Sequence, residues 1–341
     1  MPSSPPSRLK LSVLDQSPIS RGMSAGDALR NSVDLARATD ALGYTRYWVA
    51  EHHATRMLAS PSPEALLGPI GAATSRIRIG SGGVMLPHYS ALKVAETFRM
   101  LGALYPGRVD LGVGRAPGSD PLTAWVLQRD KRQAAPDDFP EQLAELLAYT
   151  RDGLPATHRL ASLAELPPPE ERPTPWLLGS SPQSGIWAAE LGLPYAFADF
   201  IAPDGATIAR DYARQFVPSR TLGRPQVIAA VWALCAETDE EAVRLASSSR
   251  MAFAHYLGGA PIQVPPVDEA VAYLDANRHM LDTIITRRRA VVGSPAAVRT
   301  RLEAVAAEYG ADEVMIVTIT YDHAARRRSY ELLADAFGLR A

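Results

Sequence analysis

Tyr47-Trp48-Val49-Ala50-Glu51-His52-His53 is a short apolar run of strand type that stops in one carboxylate and two imidazoles. A strand ending in acid/base groups delivers chemistry to its own tip. On its left, Asp27 to Leu42 reads as an amphipathic helix, with Leu29, Val33, Ala36 and Leu42 near one stripe at helical spacing. Gly43 follows, where a helix end often needs φ > 0. On its right, Ser62 as N-cap and Pro63 at the first helical position open another helix, because proline forfeits no hydrogen bond there. The run is therefore one strand of an alternating strand and helix pattern.

The same pattern extends in both directions. Leu9 to Leu14 reads as a first strand stopped by Asp15-Gln16-Ser17-Pro18. Downstream, Ile77 to Gly80 leads into a glycine-rich exit from Ser81 to Pro87, and Val109 to Gly114 leads into Arg115. Trp176 to Gly179, Tyr195 to Ala198, Val227 to Cys235 and Val314 to Thr320 complete a set of eight, each separated by a helix or a longer insert. Eight such strands predict a closed (β/α)8 TIM barrel with its active site at the strand C-terminal ends. An open doubly wound sheet would carry a glycine fingerprint after its first strand, and Asp15-Gln16-Ser17-Pro18 is not one. One barrel domain over 1–341 is expected, with residues 1–8 disordered. The proline-bearing segment 258–289 is long for a barrel connection and suits either a lid over the mouth or a plain surface excursion.

Bulk properties narrow the function by exclusion. The chain has 341 residues, a formal net charge of −2, 47% hydrophobic and 21% charged residues, so no counterion-driven nucleic-acid surface and no polybasic membrane anchor is indicated. No run reaches the ~18–20 apolar residues that cross a bilayer. The one cysteine, Cys235, lies in an apolar run and reads as a small core residue, which fits a reducing, cytoplasmic setting.

Collected together, the strand exits predict one mouth holding Asp15 to Ser17, Glu51 to His53, Ser81 to Val84, Gly114-Arg115 and Ser180 to Ser184. Gly82 and Gly83 let backbone approach a flat ligand closely. Ser180, Ser181 and Ser184 open a helix, where free N–H groups and the positive dipole end attract an anion; ordinary N-capping explains them equally well. Arg115 can complete a phosphate cradle or sit in a structural ion pair. His52 and His53 suit acid/base or hydrogen-bonding work, and strand alternation turns only one of them to the site. A metal site is not expected, because His-Glu-x-x-His and cysteine clusters are absent from the sequence. Gly112-x-Gly114-x-x-x-Gly118 has the wrong spacing for a dinucleotide fingerprint. Arg287 to Arg289 and Arg326 to Arg328 read as solvated helix faces.

Several motifs together resemble the bacterial luciferase-like flavin monooxygenases. They are Trp48-x-x-Glu51-His52-His53, the Gly80 to Pro87 segment, Tyr105-Pro106-Gly107-Arg108-x-Asp110-Leu111-Gly112-x-Gly114-Arg115, Trp187 to Pro194, and Val292-Gly293-Ser294-Pro295. The resemblance implies a barrel binding reduced FMN at its mouth. Glu51 and Gly83 would lie against the flavin ring, Arg115 near its phosphate end, Ser181 and Ser184 on the phosphate, and His52 beside the carbon that meets oxygen. It further implies a homodimer and a monooxygenase that uses O2 on a small organic substrate; no NAD(P)H-binding motif is evident in the sequence, which implies a two-component system with a separate flavin reductase supplying FMNH2. Where the light-emitting luciferase subunit has a cysteine this chain has Gly114, and where it has a carboxylate in the phosphate loop this chain has Ser180; both departures speak against light emission. Relatives on the same fold pass a hydride through the deazaflavin F420, which is the alternative expectation. A flavin-binding protein without turnover is the third.

Overall fold

Alternation along a four-residue strand sorts the molecule into inside and outside. The computed structural model describes residues 9–116, 120–128, 138–203, 205–278 and 290–339. In β2 (Arg46–Val49), Arg46 and Trp48 meet Asp110 in the barrel interior, while Tyr47 and Val49 belong to the outer core. Before it come β1 (Lys10–Asp15) and α1 (Ala25–Leu42). After it follow α2 (Pro63–Ala73), β3 (Arg78–Met85), α3 (Ala91–Leu104), β4 (Val109–Gly114), α4 (Pro121–Leu127) and α5 (Phe139–Leu147). Next are β5 (Thr174–Gly179), α6 (Pro182–Glu190), β6 (Tyr195–Ala198), α7 (Ala206–Gln215) and β7 (Val227–Cys235). The chain continues through α8 (Asp239–Leu257), α9 (Val267–Ala276), β8 (Ala290–Gly293), α10 (Pro295–Tyr309), β9 (Glu313–Val317) and α11 (His323–Phe337).

The strands β1 to β7 and β9 pair in parallel, and the β1–β9 and β7–β9 pairings close them into the expected eight-stranded TIM barrel. The eight expected strands are the eight of the ring. The ninth, β8, is not among the expected strands: Ala290–Gly293 pairs with Trp232 to Cys235 at the far end of β7. Local chemistry places α1 as its sequence suggests. Ser24 and Asp27 form a reciprocal capping box and Gly43 closes the helix at φ 86°. Ser62 stands at the N-cap of α2 without a side-chain cap bond. Residues 1–8 and 279–289, including Arg287 to Arg289, lie outside the described residues, so the expectations of disorder and of a complete lid fall there. The described part of 258–289 is tied down, since Val264 bridges to Ser20 and Arg21 pairs with Glu269.

Two further expectations change. The glycine-rich segment is the second half of β3, with a register break between Ser81 and Val84 and a cis Gly82-Gly83 peptide. A Cβ on Gly82 would stand 2.5 Å from Leu14 Cδ1, and one on Gly83 would stand 2.9 Å from the Gly112 carbonyl oxygen. Packing inside the barrel thus requires both glycines whatever else approaches them. Arg326 is not a solvated residue: it is 3% exposed and donates to Asp15 Oδ1 at 2.7 Å and to the Thr318 carbonyl at 2.8 Å. Its partner Asp15 is drawn to the outer layer and away from the mouth, where the Tyr47 hydroxyl also donates to it at 2.5 Å.

The barrel interior is filled by Leu14, Trp48, Trp176, Ile228, Met315 and Val317, with the two indoles edge to face at 5.3 Å. Each such fully buried large side chain contributes about 1.5–3 kcal/mol by leaving water. Beneath them, at the strand N-terminal ends, lies a closed ionic floor. Arg46 donates to Asp110 at 2.8 Å and Glu313 at 2.7 Å, Arg78 donates to Asp110 at 2.6 Å, and the Trp48 indole donates to Asp110 at 3.0 Å. Burial would push the Asp110 carboxyl up, but the Arg46 and Arg78 guanidiniums hold it below the usual carboxylate range.

Candidate active site at the barrel mouth

His52 continues the interior phase of Arg46, Trp48 and Ala50, and it opens onto a cavity of about 1420 Å³ at the strand C-terminal ends. Gln16 after β1, Phe200 after β6, Trp232 in β7, and Val317 and Ile319 at the end of β9 share the wall. The His52 Nδ1 atom is sealed from solvent and has no hydrogen-bond partner. Burial, with His53 beside it, lowers the imidazole to about 4, so the ring stays neutral near pH 7.

Its neighbours are occupied elsewhere. Glu51, 1% exposed, accepts from His53 Nε2 at 2.7 Å, from the Tyr89 hydroxyl at 2.8 Å and from the Met85 N–H at 3.0 Å. The carboxylate thereby fixes the far end of β3 to the tip of β2. His53 also lines the cavity, with Nε2 turned back to Glu51, so both imidazoles reach the mouth, and the buried Nδ1 of His52 has no partner.

The other candidates gather on the opposite arc, at the ends of β3, β4 and β5. Arg115, exposed, lies over the Trp187 ring of α6 at 5.7 Å. Ser181 takes the N-cap position of α6 and makes no side-chain cap bond, so the first turn keeps its N–H groups free of that competitor. Ser180 is half-buried beside it. Ser184 is 7% exposed, and its hydroxyl is already engaged, donating to the Ser181 carbonyl at 2.7 Å and sharing a 2.9 Å bond with the Tyr195 hydroxyl. The arrangement fits an anion at the α6 N-terminus next to a guanidinium, with Ser184 bracing the turn from below.

Sequence reasoning missed the wall built by α8 and α9. Ala246, Arg250 and Phe253 recur at helical spacing in α8 and all line the cavity, together with Val243, Tyr256 and Val271. The available signal was an arginine in phase with an apolar stripe. Among the described residues, no group of three or more histidine, cysteine or acidic side chains could hold a metal ion, and no helix is long and apolar enough to cross a membrane. Cys235 is buried and unpaired, its thiol pushed up to about 12 by burial.

Comparison with known proteins bears on the family and the fold. The chain is 44% identical over 331 residues to the uncharacterized protein YwcH of Bacillus subtilis, covering 96% of this chain and 99% of that one. It is 38% identical over 331 residues to the N-acetyl-S-alkylcysteine monooxygenase of the same organism, covering 96% and 98%. Among solved structures, apo-MsnO8 superposes with a TM-score of 0.87 at 42% identity over 98% of both chains. Two distant structures share the fold alone. One is the oxygenating constituent of 3,6-diketocamphane monooxygenase from Pseudomonas putida in complex with FMN, with TM-score 0.68, 19% identity and 96% and 97% coverage. The other is an F420-dependent secondary alcohol dehydrogenase with an F420-acetone adduct, with TM-score 0.69, 17% identity and 97% and 99% coverage. A model of the luciferase-like monooxygenases matches residues 9–313, and the chain belongs to that family.

Proposed function

We propose that the protein is an oxygenase that takes reduced FMN from a separate reductase, uses O2, and oxygenates a small organic molecule held in the cavity beside His52. The observation that carries this reading is His52, a residue of the cavity wall whose buried Nδ1 has no protein partner. A buried polar nitrogen without a partner is a standing free-energy cost, which a ligand atom can remove.

Arg115 and the N-terminus of α6, with Ser180 and Ser181, would hold the FMN phosphate, and Ser184 would keep that turn in shape. Gly82, Gly83 and Glu51 would border the ring, Glu51 by holding the end of β3 in place. Reduced FMN supplies the two electrons that oxygen activation needs. His52, neutral at working pH, offers a hydrogen bond to the reacting centre without placing a positive charge there. The apolar wall from Phe200 and Trp232 to Ile319 excludes water from that centre.

Anaerobic titration with reduced FMN, followed by rapid mixing with air, tests the reading. Saturable binding, then a delay before oxidised flavin appears, is expected. Prompt oxidation at the rate of free flavin would leave a flavin binder without turnover. Affinity for F420 with none for FMN would instead assign hydride transfer.

A further inference from the structure

Cavities that hold charged ligands leave a counter-charge unspent, and one arginine on this cavity wall is in that condition. Among the described residues, three arginines line it: Arg244, Arg250 and Arg278. Arg244 pairs with Asp268 at 2.9 Å and Arg278 pairs with Asp275 at 2.9 Å. Arg250 is half-buried in the middle of α8 and, among the described residues, makes no ion pair or hydrogen bond.

Among the described residues, the acidic groups on the same wall do not answer it. Asp268 and Asp275 are taken by the other two arginines. Asp120 accepts from the Leu122 and Thr123 N–H groups at the start of α4. Glu240 is exposed in the first turn of α8, ten residues before Arg250 and therefore about 15 Å away along the helix at ~1.5 Å per residue. On the helix face of Arg250 stand the apolar Ala246 and Phe253, four residues before and three after, and both line the cavity. Burial without a counter-ion lowers the guanidinium from its ordinary value, yet arginine keeps its charge at any working pH. At about 1420 Å³ the cavity exceeds the ~300–1,000 Å³ of a site for one small ligand, and Gly82, Gly83, Arg115, Ser180 and Ser181, proposed above for the flavin, do not line it, so it is open to a substrate.

We propose that this cavity takes a small organic anion, with its apolar body against Trp232, Phe253 and Val317 and its carboxylate, or an equivalent planar anion, on Arg250. The inference names the substrate class of the oxygenase reading and rests on it. A guanidinium suits this task because it donates two parallel hydrogen bonds to one carboxylate.

The test uses the full-length, flavin-free protein and three probes of equal chain length: octanoate, 1-octanol and octylamine. Calorimetric titration is expected to give octanoate at least about tenfold tighter binding than 1-octanol, as charge-assisted bonds are stronger than neutral ones, and octylamine the weakest. Arg250→Gln is expected to abolish the octanoate advantage while leaving 1-octanol affinity unchanged, and Arg250→Lys to keep part of it. Equal or tighter binding of 1-octanol in the wild type, binding of none of the probes, or an octanoate advantage that survives in Arg250→Gln would each overturn the proposal. So would a loss of FMN affinity without loss of riboflavin affinity in Arg250→Gln, which would assign the guanidinium to the flavin phosphate. Should Arg250→Gln fail to fold, the wild-type ranking and Arg250→Lys decide. A carboxylate preference without reduced-flavin affinity would sink the oxygenase reading alone; flavin chemistry without the preference would sink this inference alone.

Discussion

Both ends of the barrel bury polar groups, but they treat them in opposite ways. At the floor, Arg46, Arg78, Asp110 and Glu313 satisfy one another within 2.8 Å. At the mouth, His52 Nδ1 and the Arg250 guanidinium have no protein partner among the described residues. Paired groups at the floor add to a fixed structure, and on the reading proposed above the unpaired groups at the mouth are left for a ligand. The difference separates residues that maintain the fold from residues that use it.

The strongest challenge to that contrast is at the floor. Asp110→Ala removes the shared acceptor of two buried guanidiniums, and a loss of about 3–5 kcal/mol of stability is expected, measured by urea unfolding. A loss no larger than that of a surface substitution would mean the floor is not paired as drawn. On the mouth side, Arg115→Ala is expected to weaken FMN binding about 10- to 100-fold while leaving riboflavin binding nearly unchanged, since the lost interaction is charge-assisted and confined to the phosphate. Equal losses for both ligands would place Arg115 elsewhere.

His52 sharpens the comparison through pH. In the unfolded chain its imidazole takes a proton near 6.5, and in the folded chain near 4. Between those values the unfolded state binds the additional proton, so stability falls as pH falls, by at most about 1.4 kcal/mol per pH unit. His52→Asn removes this contribution, and the difference in Tm between pH 7 and pH 5 should shrink; an unchanged difference would show that the ring is open to water. The same variant is expected to keep most of the FMN affinity while altering the delay before flavin oxidation. The smallest effect belongs to a mouth residue that behaves like the floor. Tyr89→Phe deletes one of three bonds to Glu51 and should lower stability by about 0.5–1.5 kcal/mol, with FMN affinity unaffected.

The ring itself was legible because its strands are short apolar runs with polar or glycine-marked ends; β4, β6 and β7 match their sequence boundaries residue for residue. The strand β8 was not, since four residues before Ser294-Pro295 carry no periodicity that separates a strand from a helix approach. Arg326 and Asp15 misled for a different reason. Each looks like a surface or mouth residue locally, and only their pairing across 311 positions, which no local window contains, buries them together. Arg250 was passed over because an arginine in a helix is ordinarily solvated, and its surroundings depend on how α8 leans over the mouth. The residues around His52, by contrast, announce themselves: a strand cannot place one carboxylate and two imidazoles at its tip without exposing at least one of them.

The length of β7 also bears on how such proteins can diversify. Its first residues, from Val227, serve β6 and its middle serves β9, so the ring is complete by Trp232; the strand then runs on to Cys235 and carries β8 as a projecting ledge. From that ledge the α8–α9 wall can be lengthened, shortened or exchanged without reopening the ring. The barrel is thus a socket with a separable collar, whose exchange would leave the arc at the ends of β3 to β5 intact.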